Sequence, residues 1–132
     1  MRYLLDTNVC ISLMRNEPAA VARILAASPE DCAISTVTSY ELYTGVEKCS
    51  DPARERAKVE TFFRIVHTLP FDAAAAREAA RIRVELESQG CPIGPHDLLL
   101  AGHAVAAGLT FVTANTAEFS RVAGLTVENW RK

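Results

Sequence analysis

The chain of 132 residues has no excess of positive charge: 14 Lys and Arg stand against 16 Asp and Glu, a formal net charge of −2. Proteins that coat nucleic acid non-specifically are usually strongly basic, so that class is disfavoured. An enzyme whose acidic site is offset by local basic patches is not excluded. The four cysteines, Cys10, Cys32, Cys49 and Cys91, include no CxxC pair and no metal-ligand spacing. Cys10 and Cys32 lie inside apolar runs, as small buried hydrophobes do, and all four read as reduced thiols of a cytoplasmic protein. His67, His96 and His103 form no HExxH, which leaves zinc without its usual ligands. The stretch from Leu98 to Ala117 carries no Asp, Glu, Lys or Arg. It is broken by His103, Gly108, Thr113, Asn115 and Thr116, which a bilayer core would penalise, so a buried helix and strand are expected there. No signal peptide is expected either, because an apparent strand begins at Arg2 and meets Asp6 at once.

With 49% hydrophobic and 23% charged residues, the composition is that of an ordinary globular chain. A chain this long forms one domain, residues 1–132, burying about two-thirds of its unfolded surface. Arg2 to Leu5 predicts a short buried strand ending on Asp6. Val9, Ile11, Leu13 and Met14 predict a helix that Asn8 could cap. Pro18 opens a second helix with Val21, Ile24 and Leu25 as its stripe. Cys32 to Ser35 is a strand candidate, and a further helix starts near Thr38 or Ser39. Val59, Phe62, Phe63 and Val66 fall on one helical face. Thr68 to Phe71 is extended and confined to a sheet edge by Pro70. A helix from Asp72 to Gln89 is capped by Asp72 and closed by Gly90, with Ala75, Ala79, Ile82 and Leu86 as its stripe. Pro95 opens the most apolar helix, which Gly108 ends. Strands at Leu109–Thr113 and Leu125–Glu128 complete the alternation, which argues an α/β domain with a parallel sheet.

In such sheets ligands bind beyond the carboxyl ends of the strands. Asp6 falls there, Glu41 lies early in the helix after the second strand, and Asp97 lies in the first turn after Pro95. Thr113 and Asn115 end the following strand. Converging carboxylates repel and lose hydration, and a hard divalent cation relieves both costs. Mg²⁺ takes oxygen ligands, keeps several waters and uses one or two carboxylates plus substrate phosphate oxygens. Each residue also has an ordinary structural use: Asp6 as a helix cap, Asp97 as a charge at a helix N-terminus, Glu41 as a solvated residue. His96 could assist catalysis or simply occupy a first helical turn. His103 is expected buried and hydrogen-bonded, or at an interface. Arg15, Arg23, Arg54, Arg56, Lys58 and Arg64 could contact phosphates or form solvated helix faces. The joint placement of the acids is what points to a site.

Four segments in order carry a resemblance. They are Tyr3-Leu-Leu-Asp-Thr-Asn-Val, Ser35-Thr-Val-Thr-Ser-Tyr-Glu-Leu, Ile93-Gly-Pro-His-Asp-Leu-Leu-Leu-Ala and Phe111-Val-Thr-Ala-Asn-Thr-Ala-Glu-Phe, followed by Gly124-Leu-Thr-Val-Glu-Asn-Trp. Together they make the chain resemble the PIN-domain ribonucleases, and within them the VapC toxins of VapBC toxin–antitoxin pairs. The resemblance implies a three-layer α/β/α sandwich with a short, mainly parallel Rossmann-like sheet. It implies a Mg²⁺-dependent endoribonuclease, with Mn²⁺ expected to substitute, cleaving cellular RNA with tRNA among the candidates. Asp6, Glu41 and Asp97 match the family's metal-binding acids. The fourth position is open between Asn115, where many PIN domains have Asp, and Glu118, one turn on. The resemblance further implies a homodimer and a cognate VapB-like antitoxin lying across the site. Leu13, Val21, Leu25, Tyr43, Phe62 and Phe63 could line its groove or pack on each other.

Rival functions are compatible with the same residues. A phosphohydrolase with an aspartate nucleophile usually needs a second Asp two residues on, where this chain has Asn8. A DNA or flap nuclease would use a similar pocket. A non-catalytic RNA- or partner-binding module would leave three clustered acids without a role. The apolar circumference of the helix after Pro95 demands cover, from a neighbouring helix or from a second subunit.

Overall fold

The computed structural model describes residues 1–130. Five short strands, β1 (Tyr3–Leu5), β2 (Cys32–Ser35), β3 (His67–Leu69), β4 (Thr110–Val112) and β5 (Val127–Glu128), form one sheet in the order β3-β2-β1-β4-β5. Every pairing is parallel. Seven α-helices are described: α1 (Thr7–Met14), α2 (Pro18–Ala27), α3 (Thr36–Lys48), α4 (Pro52–Phe63), α5 (Ala73–Ser88), α6 (Pro95–Ala107) and α7 (Thr116–Phe119).

Side chains alternate across a strand, and here the alternation feeds two cores. Tyr3, Leu5, Cys32, Ile34 and Val112 join one cluster with Val9, Leu13, Ile24, Leu42, Val46, Val59 and Phe62, from the first four helices. Leu4, Ala33 and Phe111 join the other with Ile82, Leu86, Leu100, Ala101, Ala104 and Phe119 from α5, α6 and α7. The result is the expected three-layer α/β/α sandwich. A sheet buried on both faces explains why the strands read as continuous apolar runs, not as alternation.

The chain runs outward through β1, β2 and β3, then returns to the other side of β1 with β4 and β5. The strand order therefore reverses between β1 and β4, and the crevice above their carboxyl ends is where such folds bind ligands.

Several expectations need correction. Asp6, not Asn8, occupies the N-cap position of α1, and its side chain makes no capping bond. α3 begins at Thr36, earlier than Thr38 or Ser39, because the Ser35 hydroxyl accepts from the Val37 N–H. α4 stops at Phe63, so Val66 is buried from the following turn. Leu25 is exposed and belongs to no stripe. The short helix α7 was not foreseen, since four residues are too few for a periodic signal. The Asp72 cap and the edge position of β3 are as expected. The second face of α6 is covered by α5 of the same chain: Gly102 lies directly against the backbone of Ala79. That cover removes the packing argument for a second subunit there.

Candidate active site

Asp6 ends β1, and its backbone N–H still donates to the Val112 carbonyl, continuing the β1–β4 ladder by one bond. The side chain is thereby fixed over the crevice, where it is 6% exposed. Its Oδ2 accepts from the Thr113 hydroxyl at 2.7 Å, and Thr113 is held by its own N–H donating to the Glu128 carbonyl. Burial raises the Asp6 carboxyl above its ordinary value. The hydrogen bonds from Thr113 and the Thr7 backbone oppose this, while the charges of Glu41 and Glu118 add to it.

Glu41 comes from α3, one turn after Thr38. Its Oε1 accepts from the Thr7 hydroxyl at 2.7 Å, and Thr7 and Thr38 hydroxyls lie 3.0 Å apart. On the other side Nδ1 of His96 stands 3.5 Å from Glu41 Oε2. Two helices are thus tied by a hydroxyl chain that aims the carboxylate.

Asp97 sits in the first turn of α6. Its carboxyl is pushed up to about 6, first by burial, then by the charges of Asp6, Glu118 and Glu41, with a hydrogen bond to Glu118 acting the same way. Glu118, from α7, also accepts from the Asn115 amide at 2.6 Å. The structure therefore brings Asp6, Glu41, Asp97 and Glu118 into electrostatic contact. Asn115 enters as the residue that holds Glu118, and its N–H donates to the Thr113 hydroxyl.

The donor set consists of hard carboxylate oxygens that destabilise one another's charge, which is the chemistry a hard divalent cation relieves. The acids do not form a closed cage: among the described residues no three His, Cys, Asp or Glu side chains stand at metal-ligand spacing. An ion that keeps several waters and takes one or two carboxylates fits such an open arrangement; tetrahedral zinc does not. Beside Glu41 a cleft of about 320 Å³ opens between α1, α3 and α4, bordered by Thr7, Ile11, Met14, Arg15 and Lys58.

The sequence matches the family described as PIN domain over residues 3–125. The chain belongs to the PIN-domain family. Among curated PIN relatives, it is 45% identical to a tRNA(fMet)-specific endonuclease VapC from Shigella flexneri, over 98% of both chains. It is 36% identical to a Ribonuclease VapC2 from Rickettsia felis over the full length of both. Among solved PIN structures, it resembles the DNA-bound VapBC from Salmonella typhimurium with a TM-score of 0.93 and 39% identity, over 98% of each chain. VapBC2 from Rickettsia felis, bound to a promoter DNA fragment, gives 0.90 and 34%, over 98% of this chain and 99% of that one. It is a PIN domain of the VapC branch.

Not all candidate residues join the site. Arg56, Lys58 and Arg23 pair with Glu47, Glu55 and Glu128, as solvated faces do. Leu13 and Phe62 are core residues, and Phe63 meets Tyr43 edge to face at 5.5 Å. His103 is buried, its Nδ1 without a hydrogen-bond partner among the described residues, and its ring packs edge-on against Phe71. The orienting hydroxyls of Thr7 and Thr38 have only a faint signal in the sequence: Thr7 directly follows Asp6, and Thr38 lies one helical turn before Glu41.

Proposed function

We propose that this chain is a metal-dependent endoribonuclease, the toxin of a VapBC-type pair, and that tRNA, with tRNA(fMet) as first candidate, is its substrate. The observation that carries the reading is the convergence of four acids above the β1–β4 switch point, where burial and the neighbouring charges raise the carboxyls of Asp6 and Asp97. We assign Asp6 and Asp97 as the residues that hold Mg²⁺ or Mn²⁺, with Glu41 and Glu118 ordering the surrounding water. A bound Mg²⁺ supplies polarisation of the scissile phosphate and a water acidified enough to attack it. The Thr113 hydroxyl fixes the orientation of the Asp6 carboxylate, the Thr7 hydroxyl that of Glu41 and the Asn115 amide that of Glu118.

The rivals are weaker on this geometry. Asn8, where a phosphohydrolase needs its second Asp, is exposed on α1 and has no carboxylate. A module without catalysis would keep mutually repelling acids at a cost in stability. The cleft beside Glu41 suits an antitoxin segment that reaches the acids, and a VapB-like partner is part of the proposal. A homodimer is kept as well: α5 covers α6 around Gly102, but at the start of α6 Leu98 and Leu99 stay half-buried at the mouth of an apolar cleft with Phe71, Ala76 and Ala80, which a second copy would close. All four cysteines are free thiols, which agrees with work in the cytoplasm. Among the described residues no helix is long and apolar enough to cross a membrane. The 132 residues are read as one nuclease unit.

The test is cleavage of a cellular RNA pool with and without Mg²⁺, followed by mapping of new ends. Discrete cuts in tRNA that vanish with EDTA support the reading. Cleavage of a DNA flap with RNA left intact would overturn it.

A further inference from the structure

The acidic site has an aromatic rim that the metal chemistry does not use. Tyr40 directly precedes Glu41 on α3, and His96 directly precedes Asp97 on α6. Their rings meet edge to face, centroids 5.5 Å apart at 78°. Both stay open to solvent: Tyr40 is 59% exposed and the His96 side chain 46%. None of the other large exposed hydrophobics, Met1, Leu25, Tyr43, Ile65 and Val84, is adjacent in sequence to the four acids. An open tyrosine ring offers a flat apolar face with a polar tip, a surface on which other aromatic rings stack.

We propose that Tyr40 and His96 form a stacking platform for an unpaired base next to the cleaved phosphodiester. The proposal rests on the ribonuclease reading and deepens it by naming the substrate class: nucleotides outside a helix, whose base faces are free. Proteins that read single-stranded RNA stack splayed bases on Tyr and His rings in this way. The platform is positioned by the site itself. Successive helical residues point apart, and it is the contacts that place the rings: Tyr40 meets His96, and His96 lies against Glu41, so a base on Tyr40 brings its own phosphate towards the acids. His96 Nδ1, 3.5 Å from Glu41, ties the platform to the acid cluster. A base inside a duplex offers no free face, so paired RNA should enter poorly.

The test uses unstructured RNA oligonucleotides carrying one 2-aminopurine moved through successive positions, bound in EDTA so that no cleavage occurs. Stacking quenches this fluorophore. The full-length wild-type protein should quench it at one or two positions, Tyr40→Ala should lose that quenching, and Tyr40→Phe should restore it. With Mg²⁺ and bulk tRNA, Tyr40→Ala should raise KM by about 5- to 100-fold with kcat nearly unchanged, as loss of a uniform stacking contact does. Equal quenching by wild type and Tyr40→Ala, in a protein that cleaves tRNA, would overturn the platform and leave the ribonuclease reading standing. Lost activity with unchanged quenching and an altered sedimentation coefficient would also overturn it, making Tyr40 an assembly residue. A wild type that neither binds nor cleaves RNA would remove both.

Discussion

The Thr113 hydroxyl donates to Asp6 Oδ2 at 2.7 Å, joining the ends of two neighbouring strands across 107 positions of sequence. The bond fixes which way the most buried acid of the site points. An outer partner of a metal-binding carboxylate typically matters about 10- to 100-fold in metal affinity or activity. Thr113→Val, which keeps the shape, should weaken the apparent Mg²⁺ affinity by that factor, and Thr113→Ser should recover most of it. A Mg²⁺ titration of RNA cleavage reads the shift directly.

Charge removal is a harsher test. Asp6→Asn or Asp97→Asn keeps side-chain volume but loses the negative charge that holds the cation. Each should reduce cleavage by more than the roughly 100-fold expected of an outer partner, with circular dichroism unchanged. EDTA should reproduce the loss, and Mg²⁺ or Mn²⁺ should reverse it. Full activity in either variant would exclude that residue.

The pH dependence follows from Asp97. Its carboxyl sits at about 6 in the folded chain against an ordinary 3.8, so the folded state binds the proton more readily than the unfolded one. A raised carboxyl costs stability above about pH 6, and the cost is relieved as the pH falls towards 4. The metal-free protein should therefore melt higher at pH 5 than at pH 7.5. Mg²⁺ should raise Tm more at pH 7.5, where it meets ionised acids. Asp97→Asn should flatten the pH trend, and an unchanged trend would place its origin elsewhere. At limiting Mg²⁺, RNA cleavage should weaken as the pH falls through about 6, because protons compete with the cation for Asp97, and saturating Mg²⁺ should move the fall to lower pH.

Much of this site is legible in the sequence, and the reason is local. Asp6 follows an apolar run, and Asp97 follows a helix-opening proline, so chain position alone placed both on one rim. The role of Glu118 was not legible, because it depends on α7, a helix of four residues with no periodicity to detect. The cover of α6 was equally hidden. An apolar circumference demands burial but does not say by what, and the answer lay in how closely Gly102 lets α5 approach. Where Tyr40 points was also beyond pattern, since nothing in spacing separates a rim tyrosine from a core one.

That approach yields the last prediction. A Cβ added at Gly102 would lie 2.4 Å from the backbone N of Ala79 and 2.6 Å from its Cα. Both are backbone atoms, so no rotamer change can clear them, and α5 and α6 would have to separate. Overpacking of this kind costs about 1–3 kcal/mol, and more where the backbone itself must move. Gly102→Ala should therefore lower the urea midpoint clearly. Adding Ala79→Gly should rescue little, because only the Cβ at 2.7 Å disappears and the backbone contacts remain. Gly45→Ala is the control: it is also inside a helix, with nothing within 4 Å of the new Cβ. There the change should stabilise by about 0.5–1 kcal/mol, through the helix preference of alanine over glycine. Because α6 carries Asp97 at its start, Gly102→Ala should also lower the apparent Mg²⁺ affinity in cleavage at temperatures where the variant stays folded. A Gly102→Ala protein as stable as wild type would show that the two helices pack less closely than this.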